Sequence, residues 1–302
     1  MELGNLEVLG LWIRQSPNPL IPKFSIHFDL RWKSLSKLIL KGVEEMNVKK
    51  MFDLGGKTAV VTGGGKGIGL KMAEGLAEAG ANIVLCSRKL ENCRKAAEEI
   101  SRLGVKTLAL QCDVKSLKEV QATVDATVKE FGRLDILVNN SGANWGAPAE
   151  DYPLGGWQKV METNMTGAFL FSQVAGKVMI RQKSGNVINI ASIMGFRGME
   201  SEVADAVAYS ASKGALITFT KDLAAKWATH NIRVNAVAPG WFPTDMSQWV
   251  IEHQGEKLLG HIPMRRFGEG DELKGAIVFL ASEASRYVTG AILPVDGGYL
   301  AV

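Results

Sequence analysis

The sequence has few cysteines, no marked excess of one charge and no long apolar run. Its 302 residues include three cysteines, Cys86, Cys93 and Cys112, which follow no CxxC spacing. Their odd number and their spacing argue against a disulfide framework and a thiolate zinc site, so no metal site is expected. They predict a reduced, cytoplasmic setting. No apolar run reaches the length of about 18 residues that a membrane span needs.

The charges are balanced over most of the chain, although the formal net charge is +4. Of the 35 Lys+Arg and 31 Asp+Glu, residues 1–50 hold eight and five, which leaves 27 and 26 for residues 51–302. No basic field covers the body of the protein, so nucleic acid is not expected as a partner. Hydrophobic residues at 46% and charged residues at 22% are typical of a globular protein with a sizeable core.

Residues 1–50 differ in composition from the rest of the chain. They contain three prolines and two tryptophans, and Leu30–Val43 places basic residues among leucines. This stretch is compatible with a short amphipathic helix that touches a membrane surface or a partner. No basic start precedes an apolar core with a cleavage site, which argues against a secretory signal. We predict a disordered or partly helical extension that takes no part in the chemistry and makes no membrane contact, followed by one domain over residues 51–302.

From Lys57 onward, short β-branched or apolar runs alternate with segments of helical period. Candidate strands cover Thr58–Val61, Asn82–Cys86, Leu108–Cys112, Ile136–Val138, Val187–Ile190, Arg233–Val237 and Ala291–Val295. Candidate helices cover Gly69–Ala79, Glu91–Leu103, Leu117–Phe131, Gln158–Ile180 and Ala211–Thr229. Strands separated by helices predict βαβ units and a parallel sheet covered on both faces. We therefore expect a single doubly wound α/β domain, a Rossmann fold.

A glycine-rich turn lies directly between the first strand and the first helix. It contains Gly63, Gly65, Lys66, Gly67, Ile68 and Gly69, and its spacing is GxxxGxG. Glycines let the backbone turn tightly and approach a pyrophosphate, whose negative charge is favoured at a helix N-terminus. A plain structural turn is the alternative, but the place in the first βαβ unit favours a dinucleotide site.

The end of the second strand predicts the choice of cofactor. An acidic residue there would bind the ribose 2′-hydroxyl of NAD, whereas an arginine accommodates the 2′-phosphate of NADP. The stretch Asn82–Leu90 contains Arg88 and no Asp or Glu. Arg88 can bind a phosphate through two hydrogen bonds, and Lys66 adds a second cation. We predict NADP(H).

Tyr209 and Lys213 are candidates for acid/base chemistry. Residues four apart on a helix lie on the same face, so the phenol and the ammonium point the same way. A free tyrosine has a pKa of about 10. A cation within about 4–6 Å favours the phenolate, and we therefore expect Lys213 to lower the pKa of Tyr209.

Several further motifs stand in a characteristic order. They are Thr62–Gly69, Asp113-Val114, Asn139-Asn140-Ser141-Gly142, Asn164, Ser192, Tyr209–Lys213, Pro239-Gly240 and Asp296-Gly297-Gly298. This order resembles that of the short-chain dehydrogenase/reductase family, from about Leu54 to the C-terminus. The resemblance implies a seven-stranded parallel sheet and a homotetramer. It also implies a nicotinamide beside Ser192, Tyr209 and Lys213.

The resemblance implies a role for each catalytic residue. Ser192 orients the substrate oxygen, and Tyr209 passes the proton. Lys213 lowers the pKa of the tyrosine and holds the ribose, while Asn164 anchors a water of the proton relay. Further cofactor contacts are implied for Asp113, Val114, Asn140, Gly142, Pro239, Gly240 and Thr244.

Two positions depart from the common pattern of the family. Ser141 stands where alanine is common, and Ser192 and Tyr209 are seventeen residues apart where about thirteen is common. The extra residues fall in the loop Gly195–Val207, so the serine assignment holds while the pocket shape is expected to differ.

The loops expected beside the substrate are rich in aromatic and apolar residues, which favours a ligand with an apolar portion. They carry Trp145, Met194, Phe196, Met199, Trp241, Phe242 and Trp249. The segment Trp241–Ile262 is long and is predicted to act as a lid.

Three functions remain open. Gly142–Asn164 is similar to the bacterial 3-oxoacyl reductase branch, so reduction of a 3-oxoacyl or related ketone is favoured. Sugar or polyol dehydrogenases, such as gluconate 5-dehydrogenase, are also similar, with Arg197 as the one obvious cation in the inserted loop for a carboxylate. A non-catalytic NADP-binding regulator is the third.

Overall fold

Seven parallel strands form one sheet at the centre of the computed structural model, which describes residues 47–302. The strands are β1 Thr58–Thr62, β2 Asn82–Ser87, β3 Thr107–Gln111, β4 Ile136–Asn139, β5 Gly185–Ile190, β6 Ile232–Pro239 and β7 Ile292–Val295. They lie in the order β3-β2-β1-β4-β5-β6-β7. This confirms the predicted doubly wound Rossmann fold. The predictions for residues 1–46, including the helix over Leu30–Val43, lie outside the described residues.

Nine α-helices accompany the strands in this part of the chain. They are α1 Val48–Met51, α2 Gly67–Glu78, α3 Leu90–Ser101, α4 Leu117–Phe131, α5 Leu154–Met161, α6 Gly167–Gln182, α7 Val207–Trp227, α8 Gln248–His261 and α9 Glu272–Ala281. Helix α1 crosses the predicted domain boundary between residues 50 and 51. Of the helices in residues 47–302, none has the length and apolar character to cross a bilayer.

The sheet is buried on both faces because successive side chains of a strand point to opposite sides. In β1, which is buried throughout, Ala59 and Val61 pack in one cluster with α2, α3 and α9. Val60 packs in the other cluster with α4 and α6. Burial of each valine, leucine or isoleucine contributes about 1.5–3 kcal/mol, so these two clusters supply most of the driving force for folding.

A buried polar chain fixes helix α7 against the centre of the sheet. Asn139 of β4 donates to Asn189 Oδ1 of β5 at 2.9 Å and to Ser172 Oγ of α6 at 3.0 Å. Asn189 in turn donates to Thr220 Oγ1 of α7 at 2.9 Å. Because unpaired polar groups are costly in a core, this chain specifies one position for α7, the helix that carries Tyr209 and Lys213.

Several segments differ from the sequence predictions, and helix α9 is one that the sequence does not predict. The predicted helix Gln158–Ile180 is interrupted by a π-helical turn over Glu162–Thr166, between α5 and α6. The predicted lid segment Trp241–Ile262 contains helix α8. The sequence of α8 is largely polar and has glycines at residues 255 and 260, so its apolar residues show no clear helical period.

Candidate active site

A cavity of about 1190 Å³ lies beyond the carboxyl ends of the strands. It is lined by the segments that follow β1, β2, β3, β4, β5 and β6. The strand order reverses between β1 and β4, and open α/β sheets bind ligands at such a reversal. The fold therefore gathers the predicted motifs at one edge of the sheet.

The glycine turn forms one end of the cavity. Gly63 has a φ of +64°, a left-handed conformation that favours glycine. Helix α2 begins at Gly67, and no side chain caps its first turn. The free N–H groups of that turn favour an anion, so this end fits the pyrophosphate of a dinucleotide.

Gly69 is held in close contact with the loop that follows β4. A Cβ at this position would lie 2.3 Å from Asn140 Nδ2 and 2.6 Å from Gly63 O. Asn140 Nδ2 also donates to Thr62 O at 2.9 Å, so it has little freedom to move away. The glycine turn can therefore keep this conformation only if residue 69 has no side chain.

Substitution Gly69→Ala is expected to destabilise the protein by about 1–3 kcal/mol, the usual cost of overpacking, and to weaken nucleotide binding. Chemical denaturation measures the first effect and fluorescence titration with NADPH the second. Gly275→Ala is the matched control, because a Cβ there meets no atom within 4 Å. A Gly69→Ala protein as stable as the Gly275→Ala protein would contradict the close packing.

Cations lie near the end of β2 and in the glycine turn. Arg88 and Lys89 line the cavity, and no carboxylate is present in this stretch of sequence. Lys66 forms an ion pair with Asp245, from the segment after β6. This positive end fits a second phosphate, as the sequence predicts.

The two predicted catalytic hydroxyls meet at the other end of the cavity. Ser192, which follows β5, accepts a hydrogen bond from Met194 N at 3.2 Å. Tyr209 lines the same cavity, and its interaction with the Ser192 hydroxyl acts to lower the pKa of the phenol. Lys213 Nζ lies 5.4 Å from the centroid of the Tyr209 ring and donates to Ile190 O at 2.6 Å. A serine, a phenol and a buried ammonium thus share one site, a set suited to proton transfer.

The prediction that Lys213 lowers the pKa of Tyr209 is wrong for this structure. Burial raises the pKa of Tyr209, and only its interaction with Ser192 acts in the opposite sense. Burial also lowers the pKa of Lys213 to about 8. The sequence predicts the contact between the two groups but not the desolvation that governs both of their pKa values.

Asn164 lies behind the cavity wall, in the π-helical turn, and is buried. Its side chain accepts from Ala143 N at 2.7 Å and donates to Ala143 O at 3.0 Å and to Ser212 Oγ at 2.9 Å. These bonds tie the loop after β4 to α7. Both N–H donors of the side chain are used, while Oδ1 accepts one bond and keeps a second lone pair.

The structure places the predicted cofactor residues on one surface. The cavity lining includes Gly63, Gly65, Lys66, Gly67, Ile68, Gly69, Arg88, Asp113, Val114, Asn140, Gly142, Tyr209, Lys213, Pro239, Gly240 and Thr244. Other lining residues are not among the predicted site residues, for example Asn144, Ala204, Ala206, Asp245, Met246 and Val250. Their only sequence signal is proximity to a motif or to the inserted loop. No cluster able to hold a metal ion occurs among residues 47–302.

The predicted substrate lining is only partly correct. Met194, Trp241 and Phe242 line the cavity, but the other four aromatic or apolar residues do not. Trp249, for example, is 63% exposed and stacks on His253. Arg197 lies outside the lining, over the ring of Tyr299 at 5.3 Å. Loop residues of this kind pack against local neighbours that sequence spacing does not reveal.

Comparison with known proteins agrees with this geometry. A family model described as enoyl-(acyl carrier protein) reductase matches residues 63–300. The chain belongs to the short-chain dehydrogenase/reductase family, whose members act on CH–OH and C=O groups.

Three relatives show the range of similarity. A 2-dehydro-3-deoxy-D-gluconate 5-dehydrogenase of Escherichia coli is 41% identical over 83% of this chain and 98% of its own. The rhamnolipids biosynthesis 3-oxoacyl-[acyl-carrier-protein] reductase of Pseudomonas aeruginosa is 38% identical over 82% and 98%. The crystal structure of a gluconate 5-dehydrogenase from Burkholderia cenocepacia, in complex with NADP and tartrate, has a TM-score of 0.81. It is 36% identical and covers 85% of this chain and 100% of its own.

Proposed function

We propose that the protein is an NADPH-dependent oxidoreductase that interconverts a ketone and a secondary alcohol. The favoured substrate is a 3-oxoacyl-type or related carbonyl compound. The observation that carries the proposal is the meeting of the Ser192 and Tyr209 hydroxyls in the cavity that also contains the glycine turn. The 3-oxoacyl reductase from Pseudomonas aeruginosa supports the reacting group, a ketone of the 3-oxoacyl type, and not the carrier that delivers it.

The residues of this chain divide the chemistry among them. Bound NADPH supplies the hydride that the carbonyl carbon accepts. The Ser192 hydroxyl donates a hydrogen bond to the carbonyl oxygen, which stabilises the negative charge that develops there. Tyr209 transfers its phenol proton to the same oxygen, so ketone, hydride and proton give the alcohol. Lys213, held by Ile190 O, keeps a positive charge beside the phenolate that remains.

Two alternatives follow the leading proposal. A sugar or polyol dehydrogenase is supported by the gluconate-type relatives from Escherichia coli and Burkholderia cenocepacia. We place it second because Arg197, the cation predicted for a sugar acid, lies outside the cavity lining. A non-catalytic NADP-binding regulator comes third, because such a role needs no assembled pair of hydroxyls.

A panel of uncharged ketones, 3-oxoacyl thioesters, steroids and sugar acids tests the proposal, with NADPH absorbance as the readout. We expect at least one ketone to be reduced by the wild-type protein and not by a Tyr209→Phe protein. Binding of NADPH without turnover of any compound would favour the regulator.

The choice of NADPH is supported by Arg88 and by the related structures that contain NADP. Substitution Arg88→Asp is expected to weaken NADPH binding by roughly 10- to 100-fold, the value of one or two charge-assisted hydrogen bonds, with little effect on NADH. Dissociation constants measured by fluorescence quenching check this. Arg94→Asp makes the same change on α3, at a residue outside the cavity lining. Equal losses for both cofactors would count against the assignment.

The proposal extends to the organisation of the protein. We propose a cytoplasmic homotetramer whose residues 51–302 carry all the chemistry, since the cavity residues found within residues 47–302 lie between Gly63 and Val250. An apolar patch on α6 and α7 supports self-association, because Phe169 is 42% exposed and meets Phe219 edge-on. Light scattering after size-exclusion chromatography measures the assembly.

A further inference from the structure

Three segments enclose the substrate end of the cavity, and we call them the rim. They are residues 143–153, 196–206 and 244–262. Each segment contributes to the lining, for example through Asn144, Ala204 and Val250. The segments also hold one another, since Ala147 N donates to Asp205 O at 3.0 Å. The rim is therefore the part of the protein that a substrate passes on its way to Ser192 and Tyr209.

The rim is strongly acidic in a chain whose formal net charge is +4. Residues 143–153 carry two carboxylates and no cation, residues 196–206 three carboxylates and Arg197, and residues 244–262 three carboxylates and Lys257. Eight carboxylates against two cations give a formal net charge of −6 with histidines neutral. A charge of this size in a confined entrance disfavours anions and favours neutral or cationic molecules.

Ion pairs within the described residues do not remove this excess. Lys257 is shared by two carboxylates, with Glu200 at 2.6 Å and Glu202 at 2.7 Å. Asp245 is paired with Lys66 at the phosphate end. Asp205, which lies between the lining residues Ala204 and Ala206, forms no ion pair with any other described residue. Two cations outside these segments also contact the rim, because Arg265 donates to Leu259 O and Gly260 O and Lys159 lies over the Trp145 ring. With Lys66, five cations then face eight carboxylates, so the excess charge stays negative.

The inside of the substrate end offers no partner for an anion. The cations of the lining are Lys66, Arg88 and Lys89 at the cofactor end, and Lys213. Lys213 is buried, and its ammonium already donates to Ile190 O. The rest of the lining combines apolar side chains, such as Met194, Ala206 and Met246, with uncharged polar ones such as Asn144. A carboxylate or phosphate placed there loses hydration without gaining a cation, which is costly.

We infer that the substrate is an uncharged carbonyl compound or alcohol with an apolar portion, and that the rim carboxylates reject anions. This inference rests on the proposed function and narrows it. It excludes sugar acids and also acyl groups delivered on an acidic carrier protein or on a phosphate-bearing carrier. The preference thus differs from that of the gluconate-type and acyl-carrier relatives, which share the fold and the family.

The test compares one uncharged substrate with its anionic analogue. Methyl acetoacetate and acetoacetate share the ketone and differ by one negative charge. In a second pair, an uncharged N-acetylcysteamine thioester is compared with the anionic coenzyme A thioester of the same acyl group. We expect kcat/KM for the uncharged member to exceed that of the anion by at least about 10-fold at low ionic strength. The ratio should fall when ionic strength rises from about 20 mM to about 500 mM, because salt screens the rim.

A double variant tests the rim directly. Glu200→Gln with Glu202→Gln removes two rim carboxylates and should lower the ratio of kcat/KM between the uncharged substrate and its anion. Asp125→Asn with Glu130→Gln makes the same charge change on α4, outside the cavity lining, and should leave the ratio unchanged. The salt dependence of the wild-type protein gives an independent answer should the rim variant fold poorly.

The outcomes separate this inference from the proposed function. Equal or higher kcat/KM for the anion, or a panel in which sugar acids or carrier-bound acyl groups are the best substrates, overturns the inference and leaves the proposed function standing. A ratio that changes equally in both double variants also overturns it. No turnover of any compound in the panel overturns the proposed function and the inference with it.

Discussion

Substitution Tyr209→Phe is expected to lower kcat by about 10²–10⁴-fold, the contribution of a positioned acid or base, while NADPH still binds. The phenol is the proton donor that interacts with Ser192 at this end of the cavity, and phenylalanine keeps its ring and its packing against Ile193 and Met194. Loss of the hydroxyl therefore removes the proton transfer without removing the nucleotide cradle. Single-turnover absorbance measures the rate of hydride transfer, and fluorescence titration measures the binding.

Tyr287→Phe is the control for this substitution, since Tyr287 is fully exposed and removal of its hydroxyl leaves the cavity unchanged. A Tyr209→Phe protein that keeps more than about a tenth of the wild-type kcat would rule out the phenol as the proton donor.

Substitution Lys213→Met is expected to change the pH dependence of stability as well as the activity. Burial lowers the pKa of Lys213 from 10.5 to about 8 in the folded protein. Below pH 8 the ammonium is charged in both states, and the folded protein bears the full cost of its burial. Between about pH 8 and 10.5 the folded protein loses the proton first, so this cost disappears as pH rises.

The free energy of unfolding of the wild-type protein should therefore rise relative to that of Lys213→Met between pH 8 and 10.5, by up to roughly 3 kcal/mol for a shift of this size. Urea denaturation of both proteins at several pH values measures the difference, in which titrating groups remote from residue 213 cancel. Activity should fall by at least about 10²-fold, because the cation beside the phenol is lost. Lys221→Met, at an exposed residue of the same helix, should show neither effect. A constant difference in stability across this pH range would show that Lys213 is not desolvated.

The sequence predicts an element well where local chemistry marks both of its ends. Helix α4 has the predicted bounds Leu117–Phe131, because Ser116 caps its first turn and Gly132 ends it with a φ of +74°. Strand β1 is a short buried run between polar or glycine residues. These signals are contained in the sequence of the element, so its bounds can be predicted without knowledge of tertiary contacts.

The site required more than local signals. The glycine turn, Arg88, Ser192 and the pair on α7 are recognisable as motifs, and the parallel sheet brings them to one edge. The ion pair of Lys66 and Asp245 joins residues 179 positions apart, and no sequence pattern marks it. The pKa of Tyr209 was predicted in the wrong direction because it depends on burial, a property of the whole packed domain.

The π-helical turn over Glu162–Thr166 amounts to one additional residue within an otherwise continuous helix. Deletion of a single residue here would restore α-helical winding and rotate everything upstream by about 100° relative to α6, since one residue occupies that angle in a helix of 3.6 residues per turn. Val160, buried at 0% exposure, would then turn away from the core, and Asn164 could no longer reach both Ala143 and Ser212. The length of this helix in residues is therefore as strict a requirement of the protein as the identity of its catalytic side chains.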